Sequence, residues 1–117
     1  MHSQRLLDHF RAPRNAGELA QPAIRVDVTN PACGDMLRLW VRWENDRVAE
    51  VRFQTRGCTA AIGASSALTD WMAGKSRTEL AGITAAIVEE SVGGLDPASK
   101  HAAALCVDGV KRLLEVS

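Results

Sequence analysis

The spacing of apolar residues changes once along the chain, at Gly57, and this change restricts the folds open to it. Before Gly57, three segments alternate apolar and polar residues, which is the period of a β-strand with one buried face. The alternating apolar positions are Ile24, Val26 and Val28, then Leu37, Leu39, Val41 and Trp43, and finally Val51 and Phe53. After Gly57, residues 58–73 have helical spacing. The sequence therefore predicts three strands followed by helices.

Short connections join the predicted strands, and Asn45-Asp46 forms the tight turn between the second and the third. Such connections favour an antiparallel meander. Further helices are predicted over residues 3–11 and 78–91, and a last one from Asp96 to about Val116, with Asp96 as its N-cap and Pro97 in its first turn. We therefore expect an α+β fold with a three-stranded antiparallel sheet and helices packed on one side.

Length and charge narrow the class of protein. With 117 residues, a single domain over 1–117 is expected. Fourteen basic residues balance fourteen acidic ones, so nothing draws the chain to nucleic acid or to an anionic membrane. Residues 1–5 lack the apolar core of a signal peptide and no segment is apolar enough to span a bilayer, so a cytoplasmic location is expected.

Three cysteines, an odd number, argue against a disulfide scaffold and leave core thiols, a nucleophile or metal ligands as alternatives. Cys33 and Asp35 lie in the turn between the first two strands, and Cys58 begins the long helix. In a meander, that turn and the end of the third strand share one edge of the sheet. The spacing alone does not decide whether His101, in the last helix, joins them.

Two thiols, an imidazole and a carboxylate suit zinc or an iron–sulfur cluster, and do not suit calcium or magnesium. A helix N-terminus, the place of Cys58, stabilises a thiolate, which is the form that binds metals. Two other interpretations stay open at this point. Cys33 and Cys58 could be small buried hydrophobes, or Cys58, His101 and Asp35 could form a nucleophile system, although no hydrolase signature surrounds Cys58.

Four stretches of the chain resemble the NifU/IscU-type iron–sulfur cluster assembly scaffolds. In order they read DHFRAPRNAGEL (8–19), NPACGD (30–35), RGCTAAIGASSALTDWMAGKS (56–76) and LDPASKHAAALCVDGVKRLL (95–114). The resemblance implies a compact α+β scaffold that is not an enzyme. Members of such a family accept sulfur from a cysteine desulfurase and iron from an iron donor, build a [2Fe–2S] cluster and pass it to recipient apoproteins. Purified members often carry zinc in the same site.

Carried over by position, the resemblance implies a cofactor and metal site formed by Cys33, Asp35, Cys58 and His101. The chain departs from the family at Ala102, where the family has the third cysteine, a cluster ligand thought to receive the persulfide. Cys106, one helical turn later, lies on the apolar stripe of the helix and is predicted to be a core thiol.

A second departure is the stretch LDPAS, where the family has a segment that a dedicated chaperone reads in some members. Two functional hypotheses follow. The first is a scaffold or carrier that binds a [2Fe–2S] cluster or iron, with the partners named above and with a chaperone system as an open question. The second is a zinc-binding adaptor or regulator of the same machinery that builds no cluster itself.

Overall fold

The computed structural model describes residues 2–117 and has the expected α+β architecture. In chain order the elements are α1 (Gln4–Arg11), β1 (Ile24–Thr29), β2 (Met36–Glu44), β3 (Arg47–Arg56), α2 (Thr59–Met72), α3 (Arg77–Ala81), α4 (Ala85–Ser91), a 3-10 turn (Pro97–Ser99) and α5 (Lys100–Val116). None of the helices in residues 2–117 is both long and apolar enough to cross a membrane.

The three strands form one antiparallel sheet in the order β1-β2-β3. Asn45 and Asp46 close the β2–β3 hairpin with φ angles of 52° and 64°, as the primed turns of two-residue hairpins require. At the other end of the sheet, Met36 pairs with Thr29 on one side and with Arg56 on the other. The β1–β2 loop and the end of β3 therefore meet at the same end of the sheet, which is called the sheet edge of the candidate centre below.

The helices cover one face of the sheet, as the alternation predicts. Leu37, Leu39 and Val41 of β2 are fully buried on that face. The long helix α2 reaches it through Thr55, whose hydroxyl donates to Ser65 Oγ at 2.8 Å, and α5 lies across β1 and β2. Burial of the alternating apolar side chains against α2 and α5 thus forms the core and determines which face of the sheet is buried.

The helices begin close to the residues predicted for them, with one difference in the last helix. Ser3 caps α1, accepting from the Leu6 N–H at 3.0 Å. The region 78–91 divides into α3 and α4, each with its own N-cap. The last helical segment opens with Asp96 as N-cap and Pro97 in its first turn, as predicted, but that turn, Pro97–Ser99, is 3-10 and α5 itself begins at Lys100. Short 3-10 turns are common where an α-helix begins, because the first N–H groups have no helical partner.

Two loop segments cover the outer edge of β3. Near one end, the Gly17 N–H donates to the Phe53 carbonyl at 3.0 Å and the Phe53 N–H donates to the Asn15 carbonyl at 2.9 Å. Near the other end, the Val48 N–H donates to the Lys75 carbonyl at 2.9 Å. Backbone groups at this edge therefore find partners within the chain.

The N-terminal segment is held on α2 by polar contacts as well as by burial. Ser66 Oγ lies 2.7 Å from His9 Nδ1 and accepts from the Arg14 N–H at 2.8 Å. Only 7% of His9 is exposed. Burial lowers the pKa of His9, the neighbouring Arg14 lowers it further, and Asp70 and Asp8 act in the opposite direction. A neutral imidazole thus belongs to the folded state.

The buried His9 predicts a pH dependence of stability. Because its pKa is lower in the folded chain, the unfolded chain binds the proton first, and the free energy of unfolding falls as the pH drops below about 6.5. We expect urea unfolding between pH 7 and pH 5 to show a smaller loss of stability for His9→Gln than for the wild type. Equal slopes for the two proteins would contradict this role of His9.

Candidate metal centre

Three parts of the chain meet at the edge of the sheet where β2 begins and β3 ends. The β1–β2 loop brings Cys33 and Asp35, the β3–α2 junction brings Cys58, and the first turn of α5 brings His101. Cys33 and Cys58 are exposed and carry free thiols. The side chains of Asp35 and His101 are 12% and 28% exposed. The structure therefore brings together all four side chains that the sequence singles out.

The loop that carries Cys33 is shaped by Asn30. Its side-chain oxygen accepts from the Ala32 N–H at 2.9 Å, and its carbonyl accepts from the Gly34 N–H at 2.7 Å. Gly34 has a φ of 77°, a left-handed conformation that glycine adopts without strain. The Asn30 N–H donates to the Asp35 carbonyl at 2.8 Å, which closes the turn and starts β2 at the next residue. Turn chemistry thus fixes the backbone on both sides of Cys33.

Cys58 is the N-cap residue of α2, and its side chain makes no capping hydrogen bond. Its sulfur points instead to the other candidate ligands. Sγ lies 3.6 Å from Asp35 Oδ2 and 3.5 Å from His101 Nε2. The thiol at the start of α2 is thereby placed in the cluster and not in the core.

The position of His101 depends on how α5 packs on the sheet, and the spacing of residues in the sequence does not determine that packing. Gly109 of α5 faces β2, and a Cβ atom there would be 2.8 Å from Leu37 Cδ2 and 3.2 Å from Leu39 Cδ1. Because glycine leaves that space free, α5 packs directly on β2. The first turn of the helix then reaches the sheet edge, where His101 Nε2 is 3.4 Å from Asp35 Oδ2.

Asp35 Oδ2, Cys58 Sγ and His101 Nε2 form a triangle with sides of 3.4, 3.5 and 3.6 Å. Around zinc, ligand bonds of about 2.0–2.3 Å at tetrahedral angles separate donor atoms by about 3.3–3.7 Å. The triangle therefore has the size of one face of a zinc-binding tetrahedron. Cys33 joins Asp35 and His101 in a second, looser group, in which one ligand atom from each residue lies within 4.8 Å of the other two and which does not include Cys58.

The same geometry argues against a nucleophile system. A catalytic histidine contacts the nucleophile through one ring nitrogen and its carboxylate through the other. Here Nε2 of His101 faces both Cys58 Sγ and Asp35 Oδ2. One nitrogen shared by both partners cannot relay a proton between them, whereas convergence of three donor atoms on one point is the arrangement of metal ligands.

Cys106 lies in the core, as the sequence predicts. It is fully buried, and burial raises the pKa of its thiol to about 12, with the Ser65 side chain acting in the opposite direction. Ser65 is itself fully buried and bonded to Thr55. Ala102, which follows His101, is also fully buried. Cys106 is thus an inert core thiol, and it does not stand in as a ligand at the sheet edge.

Comparison with known proteins gives a family and a fold. The model of the NifU-like N-terminal domain matches residues 1–115. Iron-sulfur cluster assembly scaffold protein IscU 1 of Archaeoglobus fulgidus is 36% identical over 114 residues, which cover 97% of this chain and 74% of that protein. The Escherichia coli scaffold protein IscU is 34% identical over 114 residues, which cover 94% of this chain and 88% of its own.

A solved structure has the same fold. The N-terminal NifU-like protein of Brucella abortus superposes with a TM-score of 0.66 at 18% identity, covering 95% of this chain and 78% of that one. At this level of identity the likeness concerns the fold alone. It agrees with the α+β architecture expected from the sequence.

Burial predicts how the three thiols differ in reactivity. Treated with iodoacetamide at pH 8 in its folded, metal-free state, the chain should be alkylated at the exposed Cys33 and Cys58. Cys106 should react only after unfolding in urea, because its thiol is buried and protonated. Mass spectrometry of the digested protein measures labelling at each position. Modification of Cys106 in the folded chain at the rate of Cys58 would contradict the assignment.

Proposed function

The chain belongs to the family of NifU-like N-terminal domains, and from that membership we propose that it is an iron–sulfur cluster assembly scaffold. The relatives from Archaeoglobus fulgidus and Escherichia coli carry that name, and proteins of this type are scaffolds rather than enzymes. The observation that carries the proposal for this chain is the donor triangle of 3.4–3.6 Å at an open edge of the sheet. In this proposal residues 1–117 act as one scaffold domain.

We propose that the cargo is a [2Fe–2S] cluster, or iron on the way to one, held by Cys33, Cys58 and His101 with Asp35 as the exchangeable ligand. A cluster does not need four thiolates, since histidine replaces cysteine in some [2Fe–2S] centres. The carboxylate oxygen is a harder donor than sulfur and holds iron of a cluster less firmly. A ligand set of mixed strength suits a protein that must release what it binds.

The exposure of the centre supports exchange with other proteins. Both candidate thiols are exposed, so a sulfur donor and a recipient can reach them without opening the fold. The partners that we propose are a cysteine desulfurase, an iron donor and recipient apoproteins, in the cytoplasm. A chaperone system remains a weaker expectation, because residues 95–99 read LDPAS and differ from the family's chaperone segment.

Zinc binding is the second candidate function, and the same donor triangle supports it, because its sides also match one face of a zinc-binding tetrahedron. Two thiols, one imidazole and one carboxylate give the four ligands of a closed zinc site. In this alternative the protein docks to the assembly machinery as an adaptor or regulator and builds no cluster. Zinc at about one ion per chain in protein as purified, combined with failure to assemble a cluster, supports the adaptor.

Anaerobic reconstitution with iron and sulfide tests the scaffold proposal. We expect the wild type to bind iron and to show the visible absorption of a cluster. The variants Cys33→Ala, Cys58→Ala and His101→Ala should each lose most of the bound iron, because each removes a proposed ligand. Cys106→Ala is the matched control and should keep the wild-type spectrum, since its thiol lies in the core. A flat spectrum without bound iron in the wild type would contradict the proposal.

Ala102 offers a gain-of-ligand prediction. The resemblance implies that the family has a cysteine at this position, directly after the histidine. We expect Ala102→Cys to lengthen the lifetime of a reconstituted cluster and to slow its transfer, because a third thiolate binds iron more firmly than a carboxylate does. Ala73→Cys makes the same change at an exposed position beyond the far end of α2 and should have no effect. Equal cluster lifetimes in Ala102→Cys and the wild type would count against the prediction.

A further inference from the structure

We infer that Gly57 is a positioning residue of the candidate centre, because its missing Cβ atom provides the space in which the Asp35 carboxylate lies. The inference rests on the proposed function, since Asp35 belongs to the same ligand set. In the sequence, a glycine at position 57 suits the sharp passage from strand to helix. The structure points to a different role, which is to leave room for the Asp35 side chain.

The register of the sheet places the two residues opposite each other. Met36 pairs with Arg56 at the ends of β2 and β3. One further step along this antiparallel register puts Asp35 across from Gly57. Residues directly opposite in such a pair normally hold their Cβ atoms about 4.5–5.5 Å apart and point their side chains away from the sheet. A glycine removes one of the two side chains, and the other can then lie over the neighbouring backbone.

The Asp35 side chain uses this freedom. A Cβ atom built on Gly57 would lie 2.6 Å from Asp35 Cγ and 2.8 Å from each of its carboxylate oxygens. Real Cβ atoms essentially never come this close to another heavy atom. The glycines of the described chain with a positive φ are Gly17, Gly34, Gly74, Gly93 and Gly94. Gly57 is not among them, so its backbone conformation suits any residue and only the space requires glycine.

An alanine at position 57 would force the carboxylate outward. Asp35 Oδ2 would then leave its places at 3.6 Å from Cys58 Sγ and at 3.4 Å from His101 Nε2. The centre would keep its two sulfurs and its imidazole and would lose the oxygen donor. Gly57 thus acts on the ligand set through Asp35 without contacting the metal itself.

A double-mutant cycle with zinc tests this coupling. Zinc affinity is measured by competition with a chromophoric chelator for the wild type, Gly57→Ala, Asp35→Ala and the double variant. Each single substitution should lower the affinity about 10- to 100-fold, as loss of groups that orient ligands typically does. The double variant should bind zinc as Asp35→Ala does, because Gly57 acts only through that carboxylate. Wild-type affinity in Gly57→Ala, or losses that multiply in the double variant, would overturn the inference.

Stability measurements distinguish a specific loss of zinc affinity from a general folding defect. Gly82→Ala is the matched control, since a Cβ atom there meets only the Glu79 carbonyl at an ordinary 3.4 Å. If Gly57→Ala lowers the unfolding temperature, Asp35→Ala should restore it, because the clashing carboxylate is then absent. A double variant that is destabilised as much as Gly57→Ala would show that the added methyl group clashes elsewhere and would reject the role.

A metal-free measurement separates this inference from the proposed function. In the metal-free chain, the Asp35 carboxylate lies 3.6 Å from the exposed Cys58 sulfur and repels an anionic reagent. Gly57→Ala and Asp35→Ala should both speed alkylation of Cys58 by iodoacetate, and the double variant should be no faster. An unchanged rate in Gly57→Ala refutes the positioning role. A wild type that binds neither iron nor zinc refutes the proposed function, and the alkylation rates still decide the role of Gly57.

Discussion

The antiparallel register of three strands is the constraint on which the candidate centre depends. Because β2 runs against both neighbours, the loop before it and the end of the strand after it lie at one edge. A slip of one residue in either pairing would turn every side chain of the shifted strand to the opposite face. The buried alternation of Leu37, Leu39 and Val41 resists such a slip, because those side chains would then leave the core. The core therefore secures the relative positions of Asp35 and Cys58 without taking part in their chemistry.

The helices add what the sheet cannot supply. The start of α2 carries Cys58 as its N-cap, and the close approach of α5 to β2 at Gly109 brings His101 to the same edge. Two glycines thus leave space for a neighbouring side chain. Gly109 leaves space for leucine side chains in the core, and Gly57 leaves space for the Asp35 carboxylate at the surface. Both show that the absence of a side chain can position a neighbouring group as firmly as a contact does.

Much of this could be predicted from the sequence, because the signals were local. Period-two alternation predicts the strands, the turn residues predict the meander, and the helix expected over residues 3–11 agrees with α1. The convergence of Cys33, Asp35 and Cys58 followed from topology alone.

The place of His101 could not be derived, since it depends on how a helix docks more than 40 residues away from Cys58, and no local pattern encodes that contact. The 3-10 form of the turn after Asp96 could not be predicted, because a 3-10 turn and an α-helical turn share the same capping residues. The role of Gly57 requires the register as well as the sequence.

The segment from Asn15 to Gly17 has a consequence beyond the centre. By pairing with Phe53 it covers the outer edge of β3, while Lys75 pairs with Val48 further along the same strand. An uncovered strand edge is a template for another chain, and proteins avoid aggregation by hiding such edges. Proteolytic loss of the first seventeen residues would leave the four ligands in the remaining chain, and it would open this part of the β3 edge to pairing with another chain.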